Sequence, residues 1–117
     1  METLTIYHNP RCSKSRTALA LLQERRVPLR IIEYLKEPPS RTALATLRRQ
    51  LGLAPNGWIR KGESEFRTAG LAADSPEGKM LDAMTKYPIL IERPIVVRGD
   101  RAVVARPPER VLELLDK

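Results

Sequence analysis

The chain's only cysteine and only histidine lie in one short stretch, YHNPRCSKSR, at residues 7–16. Cys12 follows a β-prone segment and directly precedes a helical pattern, so it is expected at a strand-to-helix turn. There the free N–H groups of the first helical turn and the positive end of the helix dipole favour a thiolate. Its neighbours in this loop are polar or charged or proline, and three are cations: Arg11, Lys14 and Arg16. We therefore predict that Cys12 is a nucleophile and not a packing residue.

Three other residues of this stretch could take part in the chemistry. His8 could support the thiolate as an imidazolium, transfer a proton, or be only a hydrogen-bonded residue at a strand end. Asn9 could donate to an oxyanion, although a role in forming the turn is favoured. Ser15 stands where a C-x-x-C redox motif has its second cysteine. Because CSKS lacks that resolving thiol, an adduct on Cys12 would need an external thiol. Alternatively, Ser15 is an ordinary serine of a first helical turn.

The first third of the sequence predicts a β-strand, a helix and a second β-strand. Residues 3–7 alternate and are β-prone, a helical pattern starts at Ser13, and a short strand is expected around 29–34. The inward face of the helix is expected to carry Ala18, Leu21 and Leu22. Such a βαβ unit implies parallel strands joined by a right-handed crossover.

The rest of the sequence predicts helices followed by a hairpin. Ser40 as N-cap and Gly52 as stop delimit one helix, and SPEGKMLDAMTKY predicts another with Pro76 at its first helical position. The residues expected to be buried in the latter are Met80, Leu81 and Met84. Gly99–Asp100 predicts the turn of a hairpin. The terminal PPERVLELLD predicts a helix whose inward residues are Val111, Leu112 and Leu115.

This order of elements is that of a thioredoxin-like α/β fold. It reads βαβ and then ββα around a mixed sheet, with a helical segment inserted at about residues 38–88. The 117 residues are expected to form a single domain, 1–117. A lone cysteine and the lack of a secretory pattern in METLTIYHNP favour the cytoplasm. No apolar run approaches the ~20 residues of a membrane span, so no membrane association is expected.

The net charge of +7 raises the question of a nucleic-acid partner. Lys and Arg are dispersed along the chain, and one Phe and one Trp are too few for a base-stacking surface. A solvated basic surface is therefore favoured over nucleic-acid binding, while a small anionic substrate or an acidic partner remains open. One Cys and one His cannot by themselves form a zinc site, so no metal is expected.

Four separated blocks give the chain a family resemblance. They are NPRCSKSR in the first loop, WIRKGESEFRTAGLA at 58–72, YPILIERPIVV at 87–97 and ARPPERVLELL at 105–115. Together they resemble the glutaredoxin-dependent arsenate reductase family, whose thioredoxin-like fold carries a helical insertion. The resemblance extends over essentially the whole chain. Within it, Ser13 and Lys14 stand where well-known arsenate reductases carry Gly and Thr.

The resemblance implies a set of catalytic and binding residues. The family's nucleophile falls on Cys12, its thiolate-supporting histidine on His8, and the hydroxyl that hydrogen-bonds the thiol on Ser15. The three arginines that bind the oxyanion fall on Arg60, Arg93 and Arg106. The Arg93–Pro94 bond resembles the cis-proline linkage that faces the cysteine in thioredoxin-like folds. Asn9 and Arg16, which flank the cysteine, complete the predicted substrate-binding set.

The resemblance also implies an activity and its partners. The chain is expected to reduce arsenate to arsenite, with a Cys12–arsenic adduct, glutathione as co-substrate, glutaredoxin as protein partner and no bound cofactor. A monomer is expected. Arginine suits this substrate because its planar fork binds tetrahedral oxyanions in pairs of hydrogen bonds.

Three other functions compete with arsenate reduction. A related thiol oxidoreductase would act on glutathione mixed disulfides or an unknown substrate, but it would not need three converging arginines. A redox-sensing regulator of RNA polymerase would need C-x-x-C, which CSKS lacks. A cysteine phosphatase would need the spacing C-x5-R, yet that position holds Ala18.

Overall fold

The computed structural model describes residues 2–115. The chain divides into two compact units. One unit comprises the residues up to Glu37 together with those from Arg93 onward, and the other comprises Pro38–Glu92. The second unit thus extends a few residues beyond the expected insertion. That the whole chain acts as one domain stays a prediction.

The first unit is built around a four-stranded mixed sheet. Its elements are β1 (Leu4–His8), α1 (Ser13–Glu24), β2 (Leu29–Glu33), β3 (Ile95–Arg98), β4 (Arg101–Val104) and a 3₁₀ helix (Pro108–Leu114). The strand order is β2-β1-β3-β4. β1 and β2 are parallel, whereas β1 with β3 and β3 with β4 are antiparallel. The predicted α/β fold with a βαβ unit and a terminal ββ hairpin is therefore confirmed.

The core of this unit joins residues from both ends of the chain. Alternating β1 residues and one face of α1 are buried together with residues of β3, β4 and the 3₁₀ helix. The fully buried members include Leu4, Ile6, Ala18, Leu22 and Val96. Leu21, expected on the inner face of α1, is only half-buried. Full burial of a leucine, isoleucine or valine side chain in this core contributes about 1.5–3 kcal/mol to folding.

The terminal helix differs from the expected one in type and in its buried face. It is a 3₁₀ helix, and its buried residues are Pro108, Val111 and Leu114. Leu112 and Leu115 are only partly buried, so the prediction was right for Val111 and wrong in leaving out Leu114. The reason is geometric. A 3₁₀ helix has three residues per turn, so side chains at i and i+3 align, whereas the 3.6 residues per turn of an α-helix place residues i, i+3 and i+4 on one face.

The second unit is helical, and its boundaries follow local signals. It contains α2 (Arg41–Leu51), α3 (Ser64–Thr68) and α4 (Glu77–Lys86), with 3₁₀ turns at Pro55–Gly57 and Pro88–Leu90. The Ser40 hydroxyl accepts the Ala43 N–H at 3.0 Å, and Gly52 ends α2 in the left-handed conformation at φ 65°. Both predicted boundaries are confirmed. In α4, Pro76 is the N-cap instead of the first helical residue.

Burial in α4 agrees with its sequence pattern. Its buried face includes Met80, Leu81 and Met84, as predicted. Among residues 2–115, no helix is both long enough and apolar enough to cross a bilayer.

Candidate active site

The loop between β1 and α1 is a hydrogen-bonded turn that ends at Cys12. The Cys12 N–H donates to the Asn9 carbonyl at 3.0 Å. The Asn9 side-chain oxygen accepts the Arg11 N–H, also at 3.0 Å, which is the turn-forming role favoured from the sequence. Cys12 is the N-cap of α1, with extended backbone angles (φ −96°, ψ 122°). The sulfur is therefore carried at the N-terminal end of a twelve-residue helix.

The surroundings of Cys12 favour its thiolate. Partial burial raises the pKa of Cys12, but the backbone N–H groups of Ser15 and Lys14 and the charge and hydrogen bond of Arg93 outweigh this effect. The net result is a Cys12 pKa below its ordinary value. Cys12 is also partly accessible. The thiolate of this accessible cysteine is thus favoured relative to that of an ordinary cysteine, and its role in catalysis stays a prediction.

Ser15 and His8 form a buried pair beneath this loop. The Ser15 hydroxyl lies 2.6 Å from His8 Nδ1 and accepts the Asn9 N–H at 3.1 Å. The Ser15 oxygen has a second acceptor lone pair as well as its own proton, so the direction of this hydrogen bond follows the tautomer of His8. Burial lowers the pKa of His8, and the Arg16 charge lowers it further, which favours the neutral imidazole.

This geometry changes how Ser15 could support the thiol. The resemblance implied that its hydroxyl bonds the sulfur, whereas here the hydroxyl bonds His8 and Asn9. It is the Ser15 backbone N–H that favours the Cys12 thiolate. The catalytic roles of His8 and Ser15 stay predictions.

Glu33 is a charged neighbour of His8 that sequence reasoning missed. The parallel register pairs His8 with Glu33 at the ends of β1 and β2. The carboxylate raises the pKa of His8, so it partly opposes burial. Glu33 also forms an ion pair with Lys36 at 3.4 Å. The signal that could have found it is the βαβ prediction itself, because adjacent parallel strands end at the same edge of the sheet.

Two of the three predicted arginines belong to the same unit as Cys12. Arg93 acts on the thiol through its charge and a hydrogen bond. Arg106 donates from Nη1 to the Arg93 carbonyl at 3.1 Å, which ties the two arginine-bearing segments together. The Arg93–Pro94 bond is cis, as predicted, and the Arg106–Pro107 bond is cis as well. Binding of an oxyanion by either arginine stays a prediction.

The other predicted binding residues have different surroundings. Arg16 is exposed and donates from Nη1 to the Pro10 carbonyl at 2.9 Å, so its side chain braces the loop. Arg60 belongs to the second unit, where it forms ion pairs with Glu63 at 2.7 Å and with Glu92 at 3.9 Å. A role for either in substrate binding stays a prediction. Among residues 2–115 no group of His, Cys, Asp or Glu side chains is arranged to hold a metal ion.

The fold and this site together define a class of protein. A mixed four-stranded sheet carries a thiolate-favouring cysteine at its first strand–helix junction, beside an arginine–cis-proline segment. This is the arrangement of a thioredoxin-like protein with one cysteine at its first strand–helix junction.

Comparison with known proteins identifies the family within this class. Residues 7–114 match the model of the ArsC family. An arsenate reductase of Rhizobium meliloti is 41% identical over 97% of this chain and 81% of its own length. The uncharacterized protein YfgD of Escherichia coli is 42% identical over 94% of each chain. The solved structure of an arsenate reductase from Vibrio cholerae has a TM-score of 0.90 and 41% identity, covering 96% of this chain and 97% of its own. The chain belongs to the ArsC family, which confirms the resemblance drawn from its four sequence blocks.

Proposed function

We propose that this chain is an arsenate reductase, which converts arsenate to arsenite through a covalent adduct on Cys12. The observation that carries the proposal is an accessible cysteine at a helix start, whose pKa is lowered by two backbone N–H groups and by Arg93. The same groups that stabilise a negative sulfur can hold a tetrahedral oxyanion, because free N–H groups at a helix start and an arginine fork both bind such anions. Relatives along nearly the full chain carry the name arsenate reductase.

The first step joins sulfur to arsenic. The Cys12 thiolate attacks the arsenic of bound arsenate, an As–S bond forms, and one arsenate oxygen leaves as hydroxide or, after protonation, as water. Arg93 stabilises negative charge on the remaining oxygens, and Arg106 and Arg60 complete the expected set. His8 and its buried hydrogen-bond partner Ser15 support the loop that carries the thiol.

The later steps need thiols that the chain does not contain. Glutathione adds its sulfur to the arsenic and displaces a second oxygen as water. The glutaredoxin thiol then attacks the glutathione sulfur, and the electron pair of the As–S bond passes to arsenic. Arsenic(V) becomes arsenic(III), and the two sulfurs are oxidised to a mixed disulfide. Hydrolysis of the remaining Cys12–arsenic bond releases arsenite and the thiol. We infer a reducing compartment, the cytoplasm, and action as a monomer.

The test is arsenate-dependent NADPH consumption in the presence of glutathione, glutathione reductase and glutaredoxin. We expect turnover by the unaltered chain and none by Cys12→Ser, which keeps the size of the side chain but loses the thiolate. Arg25→Ala, an exposed position at the far end of α1, is the matched control and should keep full activity. Absence of arsenate-dependent turnover by a folded chain would reject the proposal and favour the alternative, a thiol oxidoreductase acting on glutathione mixed disulfides.

A further inference from the structure

Cations without acidic neighbours in the sequence flank Cys12. Between Glu2 and Glu24 the sequence contains no acidic residue, and the first turn of α1 contains none. Arg11 and Lys14 lie in this interval, one residue before and two residues after Cys12, and both are exposed. The nearest acidic neighbours along the chain are therefore more than two helical turns away.

Arg11 and Lys14 differ from the other cations of the site in having no structural task. Arg16 donates a hydrogen bond to the Pro10 carbonyl, and Arg106 donates one to the Arg93 carbonyl. Arg93 forms a hydrogen bond with the Cys12 thiol. In the described part of the chain, by contrast, the side chains of Arg11 and Lys14 form neither an ion pair nor a hydrogen bond. Only their backbone N–H groups are used, by Asn9 and by Cys12 respectively.

We propose that Arg11 and Lys14 form a carboxylate-binding pair that selects glutathione as the thiol reacting at Cys12. This inference rests on the proposed function, since it assigns the recognition of the co-substrate at the same site. Glutathione is a tripeptide with its thiol on the central residue and a carboxylate at each end. Two exposed cations, one before and one after the reactive cysteine in the sequence, match this distribution of charge.

The position of the two side chains separates this task from arsenate binding. The oxyanion is expected within bonding distance of the sulfur, where the backbone N–H groups and Arg93 act. Arg11 and Lys14 project from the exposed side of the loop and of the first helical turn. They are therefore suited to groups that lie several bonds away from the reacting sulfur. Each exposed ion pair contributes little binding free energy. Arg11 and Lys14 are therefore expected to determine which thiol is preferred, and not whether a thiol binds at all.

Thiol–disulfide exchange tests this recognition without arsenate. The Cys12 thiolate attacks one sulfur of oxidised glutathione, a Cys12–glutathione disulfide forms, and one glutathione thiolate leaves with the electron pair. The rate constant is measured with three probes: oxidised glutathione, which is anionic, bis(2-hydroxyethyl) disulfide, which is neutral, and cystamine, which is cationic. Ratios between probes cancel any change in the reactivity of Cys12 itself.

We expect the double variant Arg11→Ala, Lys14→Ala to lower the rate ratio of oxidised glutathione to the neutral disulfide by roughly two- to tenfold. Both substitutions keep the backbone N–H groups, so the turn and the thiolate contacts are preserved. Arg11→Glu with Lys14→Glu should lower the ratio further and favour cystamine. Arg11→Lys with Lys14→Arg should restore it, and Arg25→Ala should leave it unchanged. The preference should also weaken at high ionic strength, because exposed charges are screened.

An unchanged ratio in the Ala and Glu double variants would overturn the inference, as would a failure of the unaltered chain to prefer oxidised glutathione. Equal losses with all three probes would also overturn it, since they would indicate a general effect on the thiol. The exchange rates are measured without arsenate, so a failure of this inference can be distinguished from a failure of the proposed function. A chain that lacks arsenate turnover but keeps the charge-dependent exchange would retain the glutathione site and lose only the arsenate assignment.

Discussion

Cys12 differs from an ordinary surface thiol in the donors and charges around its sulfur. Two backbone N–H groups and the Arg93 side chain together outweigh the cost of partial burial. A buried layer consisting of Ser15 and His8 lies beneath the loop. At the residue scale, the site is therefore an accessible thiol of lowered pKa on a polar but buried support, and the two layers can be tested separately.

Arg93→Ala is expected to raise the pKa of Cys12 toward its ordinary value. Because the folded-state pKa is lowered, ionised Cys12 contributes stability above the ordinary thiol pKa, and this contribution is lost as the pH falls through the folded-state value. The measurement is the pH dependence of alkylation by neutral iodoacetamide, whose midpoint should shift upward. The affinity for an oxyanion should fall, whereas the melting temperature should change little. Arg101→Ala, at an exposed position of β4, should change none of these, and an unmoved midpoint in Arg93→Ala would contradict the role of its charge.

Ser15→Ala is expected to destabilise the first unit by about 1–3 kcal/mol. It removes the hydroxyl that serves both His8 Nδ1 and the Asn9 N–H, and both groups would be left buried or half-buried without this partner. The free energy of unfolding in urea measures the loss. Ser13→Ala is the matched control, because Ser13 is exposed in the same helical turn, and it should change stability by about 0.5 kcal/mol or less. Equal effects of the two substitutions would show that the buried pair is not stabilising.

At the scale of elements, the register of β1 with β2 determines the electrostatics of His8. The two strands end side by side, which places the Glu33 carboxylate against the imidazole. The strand and helix propensities predict that both elements exist, but a shift of one residue in the register would move Glu33 to the other face of the sheet. The influence of Glu33 on the site is therefore a property of the pairing and not of either strand alone.

Glu33→Gln is expected to lower the pKa of His8 below its already depressed value, since the carboxylate acts to raise it. His8 is the chain's only histidine, so its imidazole resonances can be followed by NMR titration without ambiguity. Glu24→Gln, an exposed position on α1, is the control and should leave the titration unchanged. A His8 pKa that rises or stays constant in Glu33→Gln would contradict the register-based explanation.

At the scale of the whole molecule, the core of the first unit depends on both ends of the chain. Strand β1 and helix α1 come from the beginning of the sequence, whereas β3, β4 and the terminal 3₁₀ helix come from its end. Buried residues of all five elements share one cluster. The helical residues Pro38–Glu92 lie between these two parts in the sequence and form their own compact unit.

Leu114→Ala is expected to cost about 2–5 kcal/mol of stability, because Leu114 is fully buried in this shared core. Leu112→Ala is the matched control: Leu112 is only partly buried on the same helix, and its loss should be clearly smaller. Urea unfolding compares the two. If Leu112→Ala proved the more costly, the α-helical face predicted from the sequence would be right and the 3₁₀ arrangement would be wrong.

Features that depend on local signals could be predicted from the amino-acid sequence. A cap at Ser40, a left-handed stop at Gly52 and the hairpin turn at Gly99–Asp100 were all predictable, because each needs only the conformational preferences of a few adjacent residues. Cys12 was recognisable as a thiolate candidate for the same reason: a strand-to-helix turn supplies free N–H groups wherever it occurs.

The distant groups that act on this loop, by contrast, are brought to it by the tertiary fold. It places Arg93 next to the Cys12 thiol and His8 beside Glu33 in the strand register. It also directs the Ser15 hydroxyl to a hydrogen bond with His8 and not with the sulfur. It also selected Leu114 instead of Leu112 as a core residue. These outcomes depend on strand register and helix type, which are set by packing across the sheet and not by neighbouring residues in the chain.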